Sequence, residues 1–318
     1  MQCACGRGNG WHASARRAAE NNKSLNMNQL TTLEVTQWNQ PHDAVKTRHI
    51  TRELEAGNIL LLPRLKFILN DDEPRFLAPR WSDGKSKNVS YDPGAGQIRH
   101  TSAQDDDRRQ LAAMMARYSE RARELVVSLC PGYAPHLRSG LTSFRPVETR
   151  GRESSRRKDD SRLHVDAFAS RPNHGMRILR VFCNVNPHGV PRVWELGEPF
   201  EAVAQRFRSR VPRQWPGSAW LLERLRITKG YRSAYDHVML SLHDQAKLDN
   251  RYQLSSPKTR VEFPAHSTWL VFTDRVMHAA LAGQFVLEQT FYLPVAAMQD
   301  ERYSPLRILE ALYRRQLA

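Results

Sequence analysis

The sequence predicts a mixed α+β chain whose core is a double-stranded β-helix (jelly roll), wrapped by N-terminal and inserted helices. Helical apolar periodicity dominates the first half of the chain, and short extended segments dominate the second half. The residues most typical of a metal site lie on or beside predicted strands that are far apart in sequence, and a jelly roll brings such strands side by side. We therefore expect one jelly-roll domain over residues 27–318.

The N-terminal 26 residues differ in composition from the rest. They are rich in Gly, Asn, Ala and Arg without an apolar period, which predicts a disordered tail over residues 1–26. They contain no apolar stretch typical of a secretory signal, and the chain has no apolar run long enough to span a membrane. Its four cysteines (Cys3, Cys5, Cys130 and Cys183) are too irregular for a disulfide framework. These features favour a cytoplasmic protein.

The first half of the ordered chain is predicted to contain one long helix. A short strand over residues 58–62 is stopped by Pro63, and turn residues surround short extended pieces near residues 88–96. The helical region covers about residues 100–131, where apolar residues recur at helical spacing behind an acidic start at Asp105. Pro131 and Gly132 end it.

The second half alternates strands and helices. Residues 177–186 are β-branched and aromatic and are closed by Pro187, which predicts a strand. Further strands are expected at 142–147, 268–272 and 284–293, with inserted helices over about 200–252 and a C-terminal helix over about 305–316.

The segment Ser161–Phe168 contains the most informative pair, His164 and Asp166. On an extended strand, residues two apart point to the same face, so an imidazole and a carboxylate would converge there. They are two members of the 2-His-1-carboxylate set that holds Fe(II) with open coordination positions. With 12 histidines and 33 acidic residues among 318, about one such pair arises by chance, and an exposed His and Asp at a strand end is the alternative.

The third ligand is predicted to be His278. It follows an apolar strand through a turn at residues 273–275, which places it at a strand start on the rim of the sheet. A solvent-facing loop histidine is the alternative. Asp274 and His266 are retained as substitutes or as partners that orient an imidazole.

An iron oxygenase of this type that uses 2-oxoglutarate also needs a cation for the distal carboxylate of that co-substrate. Many such enzymes place an arginine about ten residues beyond the second histidine, and this chain has none there. Arg180 and Arg145 are equal candidates, and Asn184, on the same face of the predicted strand as Arg180, joins them. Ordinary ion pairing is the alternative for each arginine.

The charge balance favours an anionic partner. The formal net charge is +15, and 25% of the residues are charged. Nucleic acid, a phosphorylated substrate and an acidic membrane surface all fit this charge, but no zinc-finger, helix-turn-helix or RNP-like pattern accompanies it. We therefore expect no nucleic-acid partner. A solvated basic surface remains the alternative.

Five segments resemble the 3-deoxy-D-manno-octulosonic acid (Kdo) hydroxylase family. They lie between about residues 50 and 295, and they are Lys87–Tyr91, Arg162–Asp166, Ile178–Phe200, Tyr235–Asp244 and Val276–Phe291. The resemblance implies a jelly-roll Fe(II)/2-oxoglutarate-dependent dioxygenase that hydroxylates carbon 3 of Kdo to give Ko in the inner core of lipopolysaccharide. It places His164, Asp166 and His278 on the iron ligands. It also implies 2-oxoglutarate and O₂ as co-substrates, with ascorbate as an optional addition.

The resemblance gives the basic residues a use. A Kdo-containing lipid A precursor carries carboxylate and phosphate groups at a membrane face, so peripheral contact with the inner face of the inner membrane is expected. Arg162, Arg192 and Arg157 are the predicted substrate-binding residues. The segment Arg150–Arg162 and a second arginine group (Arg206, Arg208, Arg210 and Arg213) are predicted to bind anions of the lipid surface. A dioxygenase for another anionic substrate and a metal-free jelly-roll binder of acidic glycolipid or nucleic acid are the alternative functions. The sequence makes no prediction of oligomeric state.

Overall fold

A computed structural model describes residues 29–151 and 155–318, so the tail predicted over residues 1–26 lies outside them. In the described part, the strands are β1 (Leu30–Thr32), β2 (Ile59–Leu62), β3 (Val89–Asp92), β4 (Gln97–Arg99), β5 (Arg138–Arg145), β6 (Arg177–Asn184), β7 (Arg192–Leu196), β8 (Thr259–Phe263), β9 (Thr268–Phe272), β10 (His278–Ala282) and β11 (Val286–Leu293). The α-helices there are α1 (Ala44–Ala56), α2 (Asp105–Leu129), α3 (Phe200–Phe207), α4 (Ser218–Arg224), α5 (Ala234–Leu248), α6 (Asn250–Ser255) and α7 (Pro305–Tyr313).

The described strands form two sheets. The larger has the order β1-β2-β9-β6-β11-β5-β3-β4 and is antiparallel except for the β1–β2 pair, and the smaller has the order β10-β7-β8. Neighbouring strands are therefore distant in sequence, as the predicted jelly roll requires. The predicted mixed α+β class is confirmed.

A shared apolar core packs the two sheets against each other. Phe182 and Trp269 of the large sheet stack at 5.1 Å between ring centroids, and Trp269 stacks on Phe263 of the small sheet at 4.1 Å. Trp194 of β7 meets Phe182 edge to face at 5.1 Å. Such aromatic contacts stabilise the core beyond simple area burial, and they hold β7, the strand that pairs with β10, against the large sheet.

Helices cover the outer face of the large sheet. Because side chains alternate along β6, Leu179 and Val181 point into this helix-covered core, while Arg180 and Phe182 point between the sheets. Helix α2 adds a specific contact, since the Tyr118 hydroxyl donates to the Val181 carbonyl oxygen at 2.9 Å. Helices α3–α6 lie between β7 and β8 in the chain, in the region where inserted helices were predicted.

The turn before β10 is held by a buried ion pair. Arg177 Nε lies 2.7 Å from Asp274 Oδ2, and both side chains are fully buried. The Arg177 guanidinium also lies over the Phe272 ring at 3.8 Å. Asp274 therefore anchors the turn that leads to His278, and its carboxylate is engaged by Arg177 rather than by an imidazole. Burial raises the pKa of Asp274, although Arg177 opposes that shift.

Several boundaries differ from those predicted. Strand β5 begins at Arg138 rather than near residue 142, and the helical region near 235–252 divides into α5 and α6 at Asp249. Strands β7 and β8 were not predicted, although Pro191 and Gly197 flank the first and Pro264 directly follows the second. No helix of the described ranges is both long enough and apolar enough to cross a bilayer.

Candidate functional site

Backbone pairing brings His164 and His278 together. Each donates its N–H to the carbonyl oxygen of the other, at 3.0 and 2.9 Å, as an isolated antiparallel bridge. Directly opposed residues of an antiparallel pair project their side chains on the same face. Their ring centroids are accordingly 4.6 Å apart, although more than a hundred residues separate them in sequence.

Local hydrogen bonds set the orientation of each imidazole. The Nδ1 atom of His164 donates to the Arg162 carbonyl oxygen at 2.7 Å, and that of His278 donates to the Val276 carbonyl oxygen at 2.8 Å. Since a carbonyl oxygen only accepts, both Nδ1 atoms carry the proton and both Nε2 atoms keep a free lone pair. Trp194 stacks on the His278 ring at 5.0 Å. The rings are therefore fixed with Nε2 available as a ligand.

Burial also keeps the two imidazoles neutral, as metal ligation requires. It lowers the pKa of His164 well below the usual value, and the neighbouring His278 lowers it further. Burial likewise lowers the pKa of His278, although Asp166 opposes that shift.

Asp166 completes the group. Its N–H donates to the Thr273 carbonyl oxygen at 2.8 Å, and its Oδ1 lies 3.9 Å from His164 Nε2. Its other oxygen, Oδ2, lies 3.0 Å from Arg180 Nη2, and Arg180 Nη1 lies 2.9 Å from Glu288 Oε1. Burial alone would raise the pKa of Asp166, but the charge of Arg180 opposes that shift, and the pKa is lowered to about 2. The carboxylate is therefore charged at neutral pH.

The chemistry of this donor set fits a divalent iron ion. His164, Asp166 and His278 are buried, and each offers a ligand atom within 4.8 Å of the others. Two neutral imidazoles and one carboxylate form the arrangement that binds non-haem Fe(II) and leaves coordination positions open. The structure thus brings together the three residues that the sequence predicted as ligands.

The three side chains line a cavity of about 330 Å³. Three acidic side chains, those of Asp160, Asp166 and Glu288, also line it. Seven basic side chains face the same space: Lys87, Arg145, Arg157, Lys158, Arg180, Arg192 and Lys247. The excess of basic groups over acidic ones favours anionic ligands in this cavity.

Arg192 and Arg145 meet at one side of this cavity. Arg192 Nη1 donates to Thr149 Oγ1 at 2.6 Å and to the Gly283 carbonyl oxygen at 2.7 Å. Arg145 Nη1 donates to the same Thr149 oxygen at 3.3 Å. Within the described ranges, no carboxylate lies at ion-pair distance from Arg192. Burial, followed by the charge of Arg145, lowers the pKa of Arg192 to about 9, which still leaves the guanidinium charged at neutral pH.

The other predicted contact residues are placed differently. Asn184 does not line the cavity, and its amide nitrogen donates to the carbonyl oxygens of Val190 and Phe263 at 3.0 and 3.2 Å. Arg162 points toward the end of α5 and donates to Asn250 Oδ1 at 2.8 Å. Arg157 lies at the mouth, 3.3 Å from Asp244.

The remaining predicted groups are also accounted for. His266 lines a separate cavity beside Pro63 and Phe67, away from the three candidate ligands. In the second arginine group, Arg206 pairs with Glu198 at 3.0 Å and Arg210 pairs with Asp249 at 2.5 Å. Those two charges are partly neutralised. Residues 152–154 of the Arg150–Arg162 segment lie outside the described ranges.

Sequence reasoning missed Asp160, which organises the basic side of the cavity. Its Oδ1 lies 2.6 Å from Lys87 Nζ and 3.6 Å from Lys247 Nζ, and its Oδ2 lies 3.6 Å from Arg145 Nη2. Burial would raise the pKa of Asp160, but Arg145 and the two lysines lower it far below the usual range. No periodicity or motif singles out this carboxylate, because its three ion-pair partners come from segments that lie far apart along the chain.

His243 and Trp194 were also missed as site residues. The His243 ring meets the His164 ring edge to face at 5.4 Å, and its Nδ1 lies 3.0 Å from Asp244 Oδ1. Both His243 and Trp194 fall inside segments that carried the family resemblance, so those segments were the available signal.

Comparison with known proteins identifies relatives over most of the chain. The sequence profile of the 3-deoxy-D-manno-oct-2-ulosonic acid (Kdo) hydroxylase family matches residues 37–316. Crystal structures of the Kdo hydroxylase KdoO, a non-haem Fe(II) α-ketoglutarate-dependent dioxygenase, are 44% identical and cover 91% of this chain and 97% of that protein. The TM-score is 0.87 for the complex with α-ketoglutarate and Fe(III) and 0.88 for the complex with cobalt(II). No curated protein sequence gives a match.

Proposed function

Because this chain belongs to the Kdo hydroxylase family, we propose that it is an Fe(II)- and 2-oxoglutarate-dependent dioxygenase that hydroxylates Kdo. The finer part of the proposal is that carbon 3 of Kdo is the position modified and that a Kdo-containing lipid A precursor at the inner face of the inner membrane is the substrate. The observation that carries the proposal is the group of His164, Asp166 and His278 lining a strongly basic cavity. When bound, the iron supplies the O₂ chemistry that is coupled to decarboxylation of 2-oxoglutarate.

Three residues would hold the metal, and a fourth would position one of them. Neutral His164 and His278 would bind through Nε2, and charged Asp166 through Oδ1. Arg180 has both terminal nitrogens engaged, by Asp166 and Glu288. We therefore assign Arg180 the task of fixing the Asp166 carboxylate rather than that of binding 2-oxoglutarate.

Arg192 and Arg145 would receive the distal carboxylate of 2-oxoglutarate. Arg192 is buried, its hydrogen-bond partners are a hydroxyl and a carbonyl group, and no described carboxylate lies at ion-pair distance from it. Its guanidinium is therefore available to pair with an entering anion. A guanidinium suits this role because it binds a carboxylate through two parallel hydrogen bonds. This proposal keeps Arg145, moves Arg192 from the substrate to the co-substrate, and leaves out Asn184.

Basic side chains at the mouth would bind the sugar acid. Arg157 is largely exposed and Lys158 is exposed beside it, and both line the cavity. Lys87 lines the same space while it pairs with Asp160. We assign Arg157 and Lys158 to the Kdo carboxylate and to nearby phosphate groups. Arg162 would contribute through its backbone, since its carbonyl oxygen orients His164.

The direct test is product analysis with purified protein. Fe(II), 2-oxoglutarate, O₂ and a Kdo-containing lipid A precursor should yield one succinate per modified sugar and a mass gain of about 16 Da on Kdo, as hydroxylation adds one oxygen atom. Succinate release without a mass gain on Kdo would favour another anionic substrate. Folded protein that shows no visible charge-transfer band on anaerobic titration with Fe(II) and 2-oxoglutarate would favour a binding protein.

Charge reversal at the mouth should weaken substrate binding selectively. In the double variant Arg157→Glu/Lys158→Glu, we expect the KM for a water-soluble Kdo glycoside to rise about tenfold or more, because two attractive charges become repulsive. The KM for 2-oxoglutarate should change less than about twofold. The exposed Arg109→Glu variant on α2 is the control for altered net charge. Equal changes in both KM values would contradict the assignment.

A further inference from the structure

The segment 211–232 presents an apolar surface to solvent. Among the described residues, large hydrophobic side chains that are exposed concentrate here: Trp215, Trp220, Leu221, Leu225, Ile227 and Tyr231. Trp215 is 80% exposed and Trp220 is 61% exposed. A folded protein normally buries tryptophan, so a cluster of this kind marks an interaction surface. We call it the Trp215–Tyr231 surface.

Unneutralised basic residues lie among these apolar side chains. Arg213, Arg224, Arg226 and Lys229 are exposed, and none of them forms an ion pair with any described residue. The segment contains one acidic residue, Glu223. This differs from Arg206 and Arg210 nearby, whose charges are paired. The surface therefore combines exposed indole and aliphatic groups with free positive charge.

The segment is attached to the fold beside the candidate metal ligands. The Lys229 N–H donates to the Ser170 carbonyl oxygen at 2.9 Å, and Arg232 Nη2 donates to the Ala169 carbonyl oxygen at 2.7 Å. These carbonyls directly follow Asp166 and Phe168, which line the cavity. Ala219 and Thr228 of the segment are buried and anchor it to the rest of the fold. The exposed groups are thus held by a defined local structure next to the segment that carries Asp166.

We infer that the Trp215–Tyr231 surface docks this protein on an anionic lipid bilayer. Tryptophan and tyrosine partition to the membrane interface, aliphatic side chains enter the acyl boundary, and arginine and lysine attract anionic headgroups. A protein partner of matching acidic charge would suit the basic groups, but the exposed tryptophans favour a lipid interface. The inference deepens the proposed function and rests on its lipid-linked substrate, because docking here would hold the cavity beside a membrane-embedded sugar acid.

Vesicle co-sedimentation without substrate tests the docking directly. The full chain should bind vesicles that contain phosphatidylglycerol, bind phosphatidylcholine vesicles much less, and lose binding at high salt. The variant Trp215→Ser/Trp220→Ser/Leu225→Ser should bind about tenfold or more weakly. The control Val45→Ser/Ile68→Ser/Leu254→Ser, which removes three exposed apolar side chains from other elements, should bind like the unmodified chain.

Activity assays separate this inference from the proposed function. The Trp215→Ser/Trp220→Ser/Leu225→Ser variant should show a higher KM for Kdo-lipid A in vesicles and an unchanged KM for a water-soluble Kdo glycoside. Failure of the unmodified chain to bind anionic vesicles, or unchanged binding by this variant, would overturn the inference. The inference would also be overturned if the unmodified chain formed a dimer, did not bind vesicles, and became monomeric in this variant. The surface would then be a dimer interface. If the unmodified chain has no activity on either substrate, that result would instead contradict the proposed function.

Discussion

The variant His164→Ala is expected to lose the visible charge-transfer band of the Fe(II)–2-oxoglutarate complex and to lose succinate release. His164 supplies one of only two imidazoles in the candidate ligand set, and its Nδ1 bond to the Arg162 carbonyl oxygen aims Nε2 at the shared point. Replacing a residue that merely supports a metal ligand typically costs about 10–100-fold in metal affinity or activity. Removing a ligand should therefore cost at least about 100-fold.

The exposed His188 provides the matched control. It lies in the turn after β6, and it does not line the cavity. The variant His188→Ala should keep the band and the turnover of the unmodified chain. Anaerobic titration followed by absorbance measures the band, and circular dichroism confirms that both variants are folded. A full band in His164→Ala would show that another residue, such as the neighbouring His243, holds the metal.

The variant Arg192→Met is expected to raise the KM for 2-oxoglutarate about 100-fold. A hydrogen bond to a charged group contributes about 1.5–3 kcal/mol, and a factor of 100 corresponds to about 2.7 kcal/mol. Methionine preserves much of the side-chain volume while it removes the charge and the donors. The KM for a water-soluble Kdo glycoside should change far less. Steady-state assays of succinate formation measure both constants.

Arg180 supplies the comparison that decides the assignment. The variant Arg180→Met should weaken metal binding, because it removes the cation that holds the Asp166 carboxylate at 3.0 Å. Arg162→Met, whose side chain lies outside the cavity, should leave the KM for 2-oxoglutarate close to that of the unmodified chain. A large rise of this KM in Arg180→Met with no change in Arg192→Met would reverse the roles proposed for these two arginines.

Most regular elements could be predicted from local patterns. Strand β9 has its predicted bounds, and helix α2 lies inside the predicted region 100–131, beginning at the acidic start at Asp105. A long amphipathic stripe and a short apolar run bounded by turn residues are strong signals. Strands β7 and β8 could not be predicted in the same way. Their stability comes from pairing with each other and with β10, a contact that no local window contains.

The candidate ligands could also be proposed from sequence, since their residue types and strand-end positions are local properties. What brings His164 against His278 is a single antiparallel bridge between distant segments. The sequence predicted that the two histidines lie close together, and the tertiary structure shows the backbone pairing that brings them there. Trp194, which stacks on His278, reaches that position from the unpredicted strand β7.

By itself, the sequence determined the fold class, the family, the three candidate ligands and the preference for anionic partners. Only the tertiary structure supplied the contacts on which the proposed roles of the arginines rest. Arg180 and Arg192 look alike in sequence, but Arg180 faces two carboxylates whereas Arg192 faces a hydroxyl and a carbonyl group. The reason is that the function of a buried charge depends on the charges around it, and those come from strands that lie far apart along the chain.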